Sequence, residues 1–168
     1  YKISNWAMGS WMRAFLKDRK QKVVLEEAEC SWQSVTSSVP QGSVLGPLLF
    51  VIFINDLPEG LMNRLLMYAD DSKIIAESEL NKDNGLQEDL NGVVEWCETW
   101  SMSLNAAKCK VMYCGKNNPK RAYWIGNTPL KETESEKDLG VIITSNGKSS
   151  EQAAAAVCKA NRILGVMR

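Results

Sequence analysis

Two aspartates stand side by side at Asp70 and Asp71, between the apolar runs "RLLMYA" and "SKIIA", and no other stretch constrains the fold as much. Both runs are short and rich in aliphatic residues. They read as strands, and only a tight turn across the aspartates can join them. Carboxylates about 4 to 5 Å apart repel by about 3 to 4 kcal/mol at an effective dielectric near 20. The pair is therefore a liability without a cation. At a hairpin tip, where the side chains are not committed to a sheet face, it becomes a ligand set. Residue chemistry alone leaves two readings, a solvated surface turn or a site where carboxylate oxygens hold Mg²⁺ and substrate phosphates complete its shell.

Composition narrows the chemistry further. The chain has 168 residues, a length that argues for one compact unit or a piece of one. It has no histidine, which removes the commonest general base and every Ser-His or Cys-His scheme. Cys30, Cys97, Cys109, Cys114 and Cys158 are odd in number and form no C-x-x-C pair, so a zinc site or a disulfide framework is not expected and reduced thiols are. The apolar run at residues 44–54 is broken by Gly46 and Pro47 and falls short of the roughly 20 residues that span a bilayer. It reads as core, and no membrane partner is expected. The start, "YKISNWAMGS", has neither an initiating Met nor the order of a secretory signal, and the chain reads as a fragment.

Net charge is zero, but the charges are segregated. Residues 1–24 hold Lys2, Arg13, Lys17, Arg19, Lys20 and Lys22 against Asp18, and residues 108–121 hold Lys108, Lys110, Lys116, Lys120 and Arg121 with no acid. Residues 56–98 carry eleven acids against Arg64, Lys73 and Lys82. Each basic cluster is either a solvated face or a set of phosphate contacts.

Periodicity places the remaining elements. Trp11, Met12, Phe15 and Leu16 share a helical face, and residues 22–39 read as a hairpin. "PQGSVLGP" demands a loop; the run after Pro47 is buried helix or buried strand, and a proline in a first turn favours helix. Leu86, Leu90, Val93, Cys97 and Trp100 mark a helix with its acids on the opposite side. "KVMYC" and "LGVIIT" read as strands and "AYWIGNTPL" as a hairpin around Gly126 and Asn127. A final helix starts at a capping box of Ser149 and Gln152, with Val157, Ile163 and Leu164 as packing residues. The tryptophans, Trp11, Trp96 and Trp100 above all, are expected in the core. The sum is an α+β fold with a mostly antiparallel sheet.

"SVPQGSVLGPLLFVIFINDLP" followed by "YADD" at residues 68–71 resembles the palm of reverse transcriptases of non-LTR retrotransposons, in particular the jockey-like elements. The resemblance runs nearly end to end, through "SWMRAFLKDRKQKV", "WCETWSMSLNAAKCKVM" and "KDLGVIIT". It implies a partial fingers/palm domain over residues 1–148, with a polymerase palm-type antiparallel sheet and packed helices, and the start of a helical thumb over 149–168. It implies an RNA-directed DNA polymerase that adds deoxynucleotides to a primer 3′ end by two-metal phosphoryl transfer, chemistry that needs no histidine. The partners it implies are an RNA template, a DNA primer and deoxynucleoside triphosphates, with Mg²⁺ or Mn²⁺ as cofactor.

Carried across, the resemblance makes Asp70 and Asp71 metal-binding catalytic aspartates, with Tyr68 and Ala69 positioning the primer end. Pro40, Gln41 and Gly42 fall on the motif that shapes the nucleotide and template pocket; residue chemistry by itself is equally served by a Gly/Pro turn before a helix. Lys108 matches a lysine that assists the departing pyrophosphate, with Asn105 before it, and as residue chemistry is otherwise a solvated charge at a strand entry. The stretch from the hairpin at residues 123–130 through "LGVIIT" at 139–144 resembles the primer grip.

The match also departs from the family. Ser38 stands where the family usually has Gly, and the family's further aspartate belongs to a strand upstream of Tyr1. The chain alone is expected to be inactive, and a catalytically inert retroelement remnant or nucleic-acid-binding piece is the alternative. For an intact relative the resemblance implies nuclear action.

Overall fold

The computed structural model describes residues 9–26, 28–40, 42–80 and 82–166. Among them four α-helices and twelve short strands alternate, a mixed α+β fold. The chain divides into two compact units. One holds the described residues up to Leu57 together with Met67–Asp71, and the other holds Pro58–Leu66 and the chain from Ser72 onward.

In the first unit, helix α1 (Gly9–Leu16) buries Met12 and half-buries Phe15 and Leu16. Trp11 departs from the core expectation. It is 50% exposed and stacks on Phe15 with ring centroids 5.5 Å apart. The chain then makes an arm of two antiparallel ladders. Strand β1 (Lys20–Gln21) pairs with β4 (Gln33–Ser34), and β2 (Val24–Leu25) pairs with β3 (Ala28–Glu29). Arg19 fastens the base of the arm: its Nε donates to Leu16 O at 3.0 Å, and its terminal nitrogen donates to Ser37 O at 3.2 Å and to Ser38 O. Of the first basic cluster, this guanidinium is therefore committed to backbone carbonyls.

The run containing Pro47 resolves as helix α2 (Leu45–Ile54), started by Ser43 Oγ, which accepts from Gly46 N at 3.1 Å. Proline fits a first turn because the N–H it lacks has no intrahelical acceptor there. The helix is not wholly core. Gly46, Leu49 and Ile54 are buried while Val44, Leu48 and Val51, spaced by four and three, are exposed along one stripe. Small units keep a larger share of their surface in water, and two faces of an apolar helix cannot both be covered.

The second unit is organised around α3 (Leu86–Thr99), whose inner face buries Leu90 and Cys97. It also buries Asp89, against the expectation that the acids lie opposite the apolar stripe. The expected strand after Lys108 shortens to β7 (Lys110–Val111), which pairs in parallel with β10 (Lys131–Glu132). Gly115, Asn117, Asn118 and Pro119 follow and stop it. Strand β8 (Trp124–Ile125) pairs with β9 (Thr128–Pro129) across Gly126 and Asn127, and β11 (Ser135–Asp138) pairs with β12 (Val141–Thr144). The same holds for β5 (Arg64–Tyr68) and β6 (Asp71–Ile75), which form another two-stranded sheet. Among the described residues every sheet is two-stranded, where the sequence pattern suggests a broader one. Most of the strands are two residues long and closed by tight turns, so each pairs with one neighbour only.

The last helix, α4 (Ser150–Val166), has no buried residue, and Val157, Ile163 and Leu164, expected to pack, are exposed. Its anchorage is confined to the first turn, where Ser135 Oγ donates to Glu151 Oε2 at 2.7 Å and Gln152 Oε1 accepts from Ile142 N at 2.9 Å. Gln152 thus ties the helix to β12, a role the capping-box pattern does not foresee. No helix among the described residues is long and apolar enough to cross a membrane.

Candidate active site

The hairpin of β5 and β6 turns on Ala69 and Asp70, and Tyr68, Ala69, Asp70 and Asp71 are all exposed. Ala69 adopts φ +52°. That left-handed conformation costs a residue with a Cβ about 1 to 2 kcal/mol. Among the described residues neither aspartate carboxylate takes part in a side-chain hydrogen bond or an ion pair. Two hard oxygen donors with free lone pairs suit a small divalent cation that keeps water and phosphate oxygens as its other ligands. No group of three His, Cys, Asp or Glu side chains that could hold an ion occurs among the described residues, so phosphate and water would complete any shell built on Asp70 and Asp71.

Pro40 and Gly42 lie in the same unit as this tip. Gly42 has φ +79°, and a Cβ built on it meets nothing within 4 Å, so its backbone conformation, and not crowding, favours glycine. Gln41 falls outside the described residues. Ser38, where the resemblance expects Gly, has φ +66°; the position has the conformation a glycine adopts without strain. Asn105 and Lys108 belong to the second unit, where both are exposed and Lys108, closing a 3-10 turn, donates its backbone N–H to Asn105 O at 3.0 Å.

The second basic cluster is largely absorbed by protein contacts. Lys110 pairs with Glu136 at 2.7 Å, Lys120 pairs with Glu132, and Arg121 donates to Lys82 O at 2.8 Å and lies 3.7 Å from Asp83. The hydrogen bond and charge of Glu132 raise the Lys120 pKa, while Tyr113 is pushed up first by burial and then by the charge of Glu132. Lys110, Lys120 and Arg121 thus have protein partners, in solvent-exposed pairs of the kind that contribute little. The aromatic side chains give Trp32 and Trp124 to solvent, 61% and 44% exposed, while Trp96 and Trp100 keep a tilted ring contact at 6.3 Å.

Asp89 is the residue that reading the sequence missed. It is 2% exposed, and its carboxylate accepts from Met62 N at 2.7 Å, Asn63 N at 2.9 Å and Asn63 Nδ2 at 2.9 Å. Asn63 and Met62 immediately precede β5. The helical period carried the signal, because position 89 is three residues from Leu86 and four from Val93 and so lies on the apolar stripe. An acid on that stripe needs buried donors.

Residues 1–155 match the family model described as "Reverse transcriptase (RNA-dependent DNA polymerase)". Among curated proteins, the chain is 33% identical over 143 residues to the RNA-directed DNA polymerase from mobile element jockey of Drosophila funebris, and 28% identical over 145 residues to that of Drosophila melanogaster. The probable RNA-directed DNA polymerase from transposon X-element of Drosophila melanogaster is 28% identical over 140 residues. Each alignment covers 79% of this chain but only 15 or 16% of the relative. No solved structure matches. With the family model spanning nearly the whole sequence, the chain belongs to the reverse transcriptase (RNA-dependent DNA polymerase) family.

Proposed function

We propose that this chain is the palm segment, with the first helix of the thumb, of a polymerase that copies RNA into DNA by adding deoxynucleotides to a primer 3′ end. The observation that carries the reading is the tip at residues 68–71: two exposed carboxylates, Asp70 on the turn and Asp71 opening β6, free of protein partners among the described residues, in a chain of this family. Asp70 and Asp71 hold the divalent cations, Mg²⁺ or Mn²⁺. Such ions supply charge stabilisation to the attacking and leaving oxygens of an in-line displacement at phosphorus. The chain's own residues do the rest. Tyr68 and Ala69 seat the primer end beside the aspartates. Pro40, Gln41 and Gly42 shape the pocket for the incoming nucleotide and template, where a glycine lets the backbone come close to a ligand. Lys108, with Asn105 before it, offers a cation to the departing pyrophosphate. The stretch from the hairpin at residues 123–130 through residues 139–144 grips the primer, and nuclear action follows if the element primes on chromosomal DNA.

The test is primer extension on an RNA template by the intact polymerase that carries this segment, with Mg²⁺ or Mn²⁺. Asp70→Asn is expected to slow extension at least about a hundred-fold; unchanged extension would sink the catalytic assignment. A second reading is an inert remnant that retains the aspartates; Ser38, left-handed at φ +66° where the family usually has Gly, is the departure that favours it. It predicts that even the intact polymerase with both aspartates in place extends nothing.

A further inference from the structure

The proposed chemistry makes no use of the first basic cluster or of the arm that follows it. Over residues 9–24 the chain carries Arg13, Lys17, Arg19, Lys20 and Lys22 against Asp18. Arg19 bonds both to Leu16 O at the end of α1 and to Ser37 O beyond β4, so the cations of the helix and of the arm's base belong to one piece of the first unit. Arg19 is spent on that task, and Lys17 lies 3.8 Å from Asp18. Arg13 and Lys20, by contrast, are exposed and have no side-chain partner among the described residues. Register sorts the base of the arm into two faces. Lys20 pairs with Ser34 and Gln21 with Gln33, and cross-strand partners share a face while neighbours along a strand alternate. One face therefore carries Lys20 and Ser34, and the other carries the two glutamines. Lys22, two residues beyond Lys20, and Trp32, two before Ser34, continue the first face, with Lys22 Nζ 5.3 Å from the centre of the Trp32 ring. That ring is 61% exposed, and among the described residues no other ring packs on it.

We propose that this face of the arm holds an unpaired polynucleotide strand, with a base stacked on Trp32 and the flanking phosphates met by Lys20 and Lys22. An open aromatic plate beside cations is how proteins hold single strands, because every base has a π-face and every linkage a charge. Lys22 is engaged by Glu29, but in a solvent-exposed pair, the kind that contributes little, so a phosphate can take the place of the carboxylate. Glu26 and Glu29 lie toward the tip of the arm, which confines a polyanion to its base. In a reaction that copies RNA into DNA, primer and product are paired and the template ahead of them is not, so the strand is template RNA. That identification rests on the proposed function, whereas the stacking site itself makes no demand on Asp70 or Asp71.

The experiment uses the intact polymerase carrying this segment and a short oligouridylate bearing iodouracil, with EDTA present so that metal binding plays no part. Ultraviolet light joins iodouracil to an aromatic side chain stacked on it, forming a carbon–carbon bond with loss of hydrogen iodide. Peptide mapping is expected to find the adduct on Trp32, and the same RNA annealed to its complement is expected to form none there. Trp32→Ala is expected to weaken binding of the unpaired oligouridylate about ten-fold by fluorescence anisotropy, and Trp32→Phe, which keeps a ring, to weaken it less. Lys20→Ala is expected to flatten the dependence of log affinity on log salt by about 0.7, the share of one phosphate on a single strand. Adducts on other residues with none on Trp32, or an affinity in Trp32→Ala equal to that of the unaltered polymerase, overturn the proposal. If another part of the polymerase covers Trp32, no adduct forms there and Trp32→Ala unfolds at lower urea, which overturns it equally. An adduct formed more readily by the corresponding oligodeoxyuridylate overturns the assignment to the template. An adduct on Trp32 with Asp70→Asn fully active in primer extension keeps this contact and sinks the catalytic reading; no adduct there with Asp70→Asn inactive does the reverse.

Discussion

The hairpins β5–β6 and β8–β9 are built on the same plan, two strands joined by two residues, and the residues at the start of each bond to helix α3. They differ at each end. At the β8–β9 tip the left-handed position is Gly126, φ +55°, where glycine suffers no strain. At the β5–β6 tip the left-handed position, φ +52°, is taken by Ala69. At the roots, Gln87 serves β8 as a neutral strand edge would, accepting from Trp124 N at 2.9 Å and donating to Trp124 O at 3.0 Å, whereas β5 is rooted on the buried charge of Asp89. Strain sits at the tip that carries the two acids, and the stronger anchor lies beneath the same hairpin. Local strain persists only where surrounding structure over-determines it.

The largest effect expected from this contrast is at the roots. Asp89→Ala leaves three donors without their acceptor and is expected to lower the unfolding free energy by about 3 kcal/mol. Gln87→Ala removes three hydrogen bonds near the surface, two to Trp124 and one to Asn91, where water replaces them, for about 1 kcal/mol. Urea unfolding of the two variants checks the ratio, and equal losses would erase the distinction between the anchors. The next effect is at the unstrained tip. A Cβ on residue 126 meets nothing within 4 Å, so Gly126→Ala tests backbone conformation with no steric term. It is expected to destabilise by about 1 kcal/mol, and a neutral result would show that this turn relaxes out of the left-handed region.

How much of this was legible in the sequence differs from element to element. The β5–β6 hairpin, α3, the β8–β9 turn and the last helix follow from local rules, namely short apolar runs, a three-to-four period and a Gly-Asn turn, and the structure has each of them. Burial was less legible because it is a property of what packs against a residue. Leu48 and Val51 on α2, Trp32 on the arm and Val157 on α4 are apolar in helices or hairpins of the expected kind, yet they face solvent. The basic run at 108–121 was ambiguous for the same reason, since its acidic partners Glu132 and Glu136 are near in space and distant in sequence. For the site, "YADD" showed where the carboxylates would lie only in part: both are exposed, but Asp70 alone is on the turn and Asp71 opens β6. Asp89 was legible as an acid on an apolar stripe, but its donors, Met62 and Asn63, lie in a loop that no periodic pattern connects to α3.

The smallest effect, and the one that separates stability from function, is at Ala69. Glycine there relieves about 1 kcal/mol of left-handed strain and returns about 0.4 to 1 kcal/mol through the greater freedom of the unfolded chain. Ala69→Gly is therefore expected to change stability by no more than about 0.5 kcal/mol. Its consequence for the tip is larger than its consequence for the fold, because a glycine turn visits more backbone conformations and the adjacent Asp70 moves with it. In the intact polymerase, extension should slow while the unfolding midpoint holds. If Ala69→Gly instead proved both more stable and equally active, the left-handed alanine would be a tolerated defect with no part in holding the aspartates, and the contrast between the two hairpins would reduce to their roots.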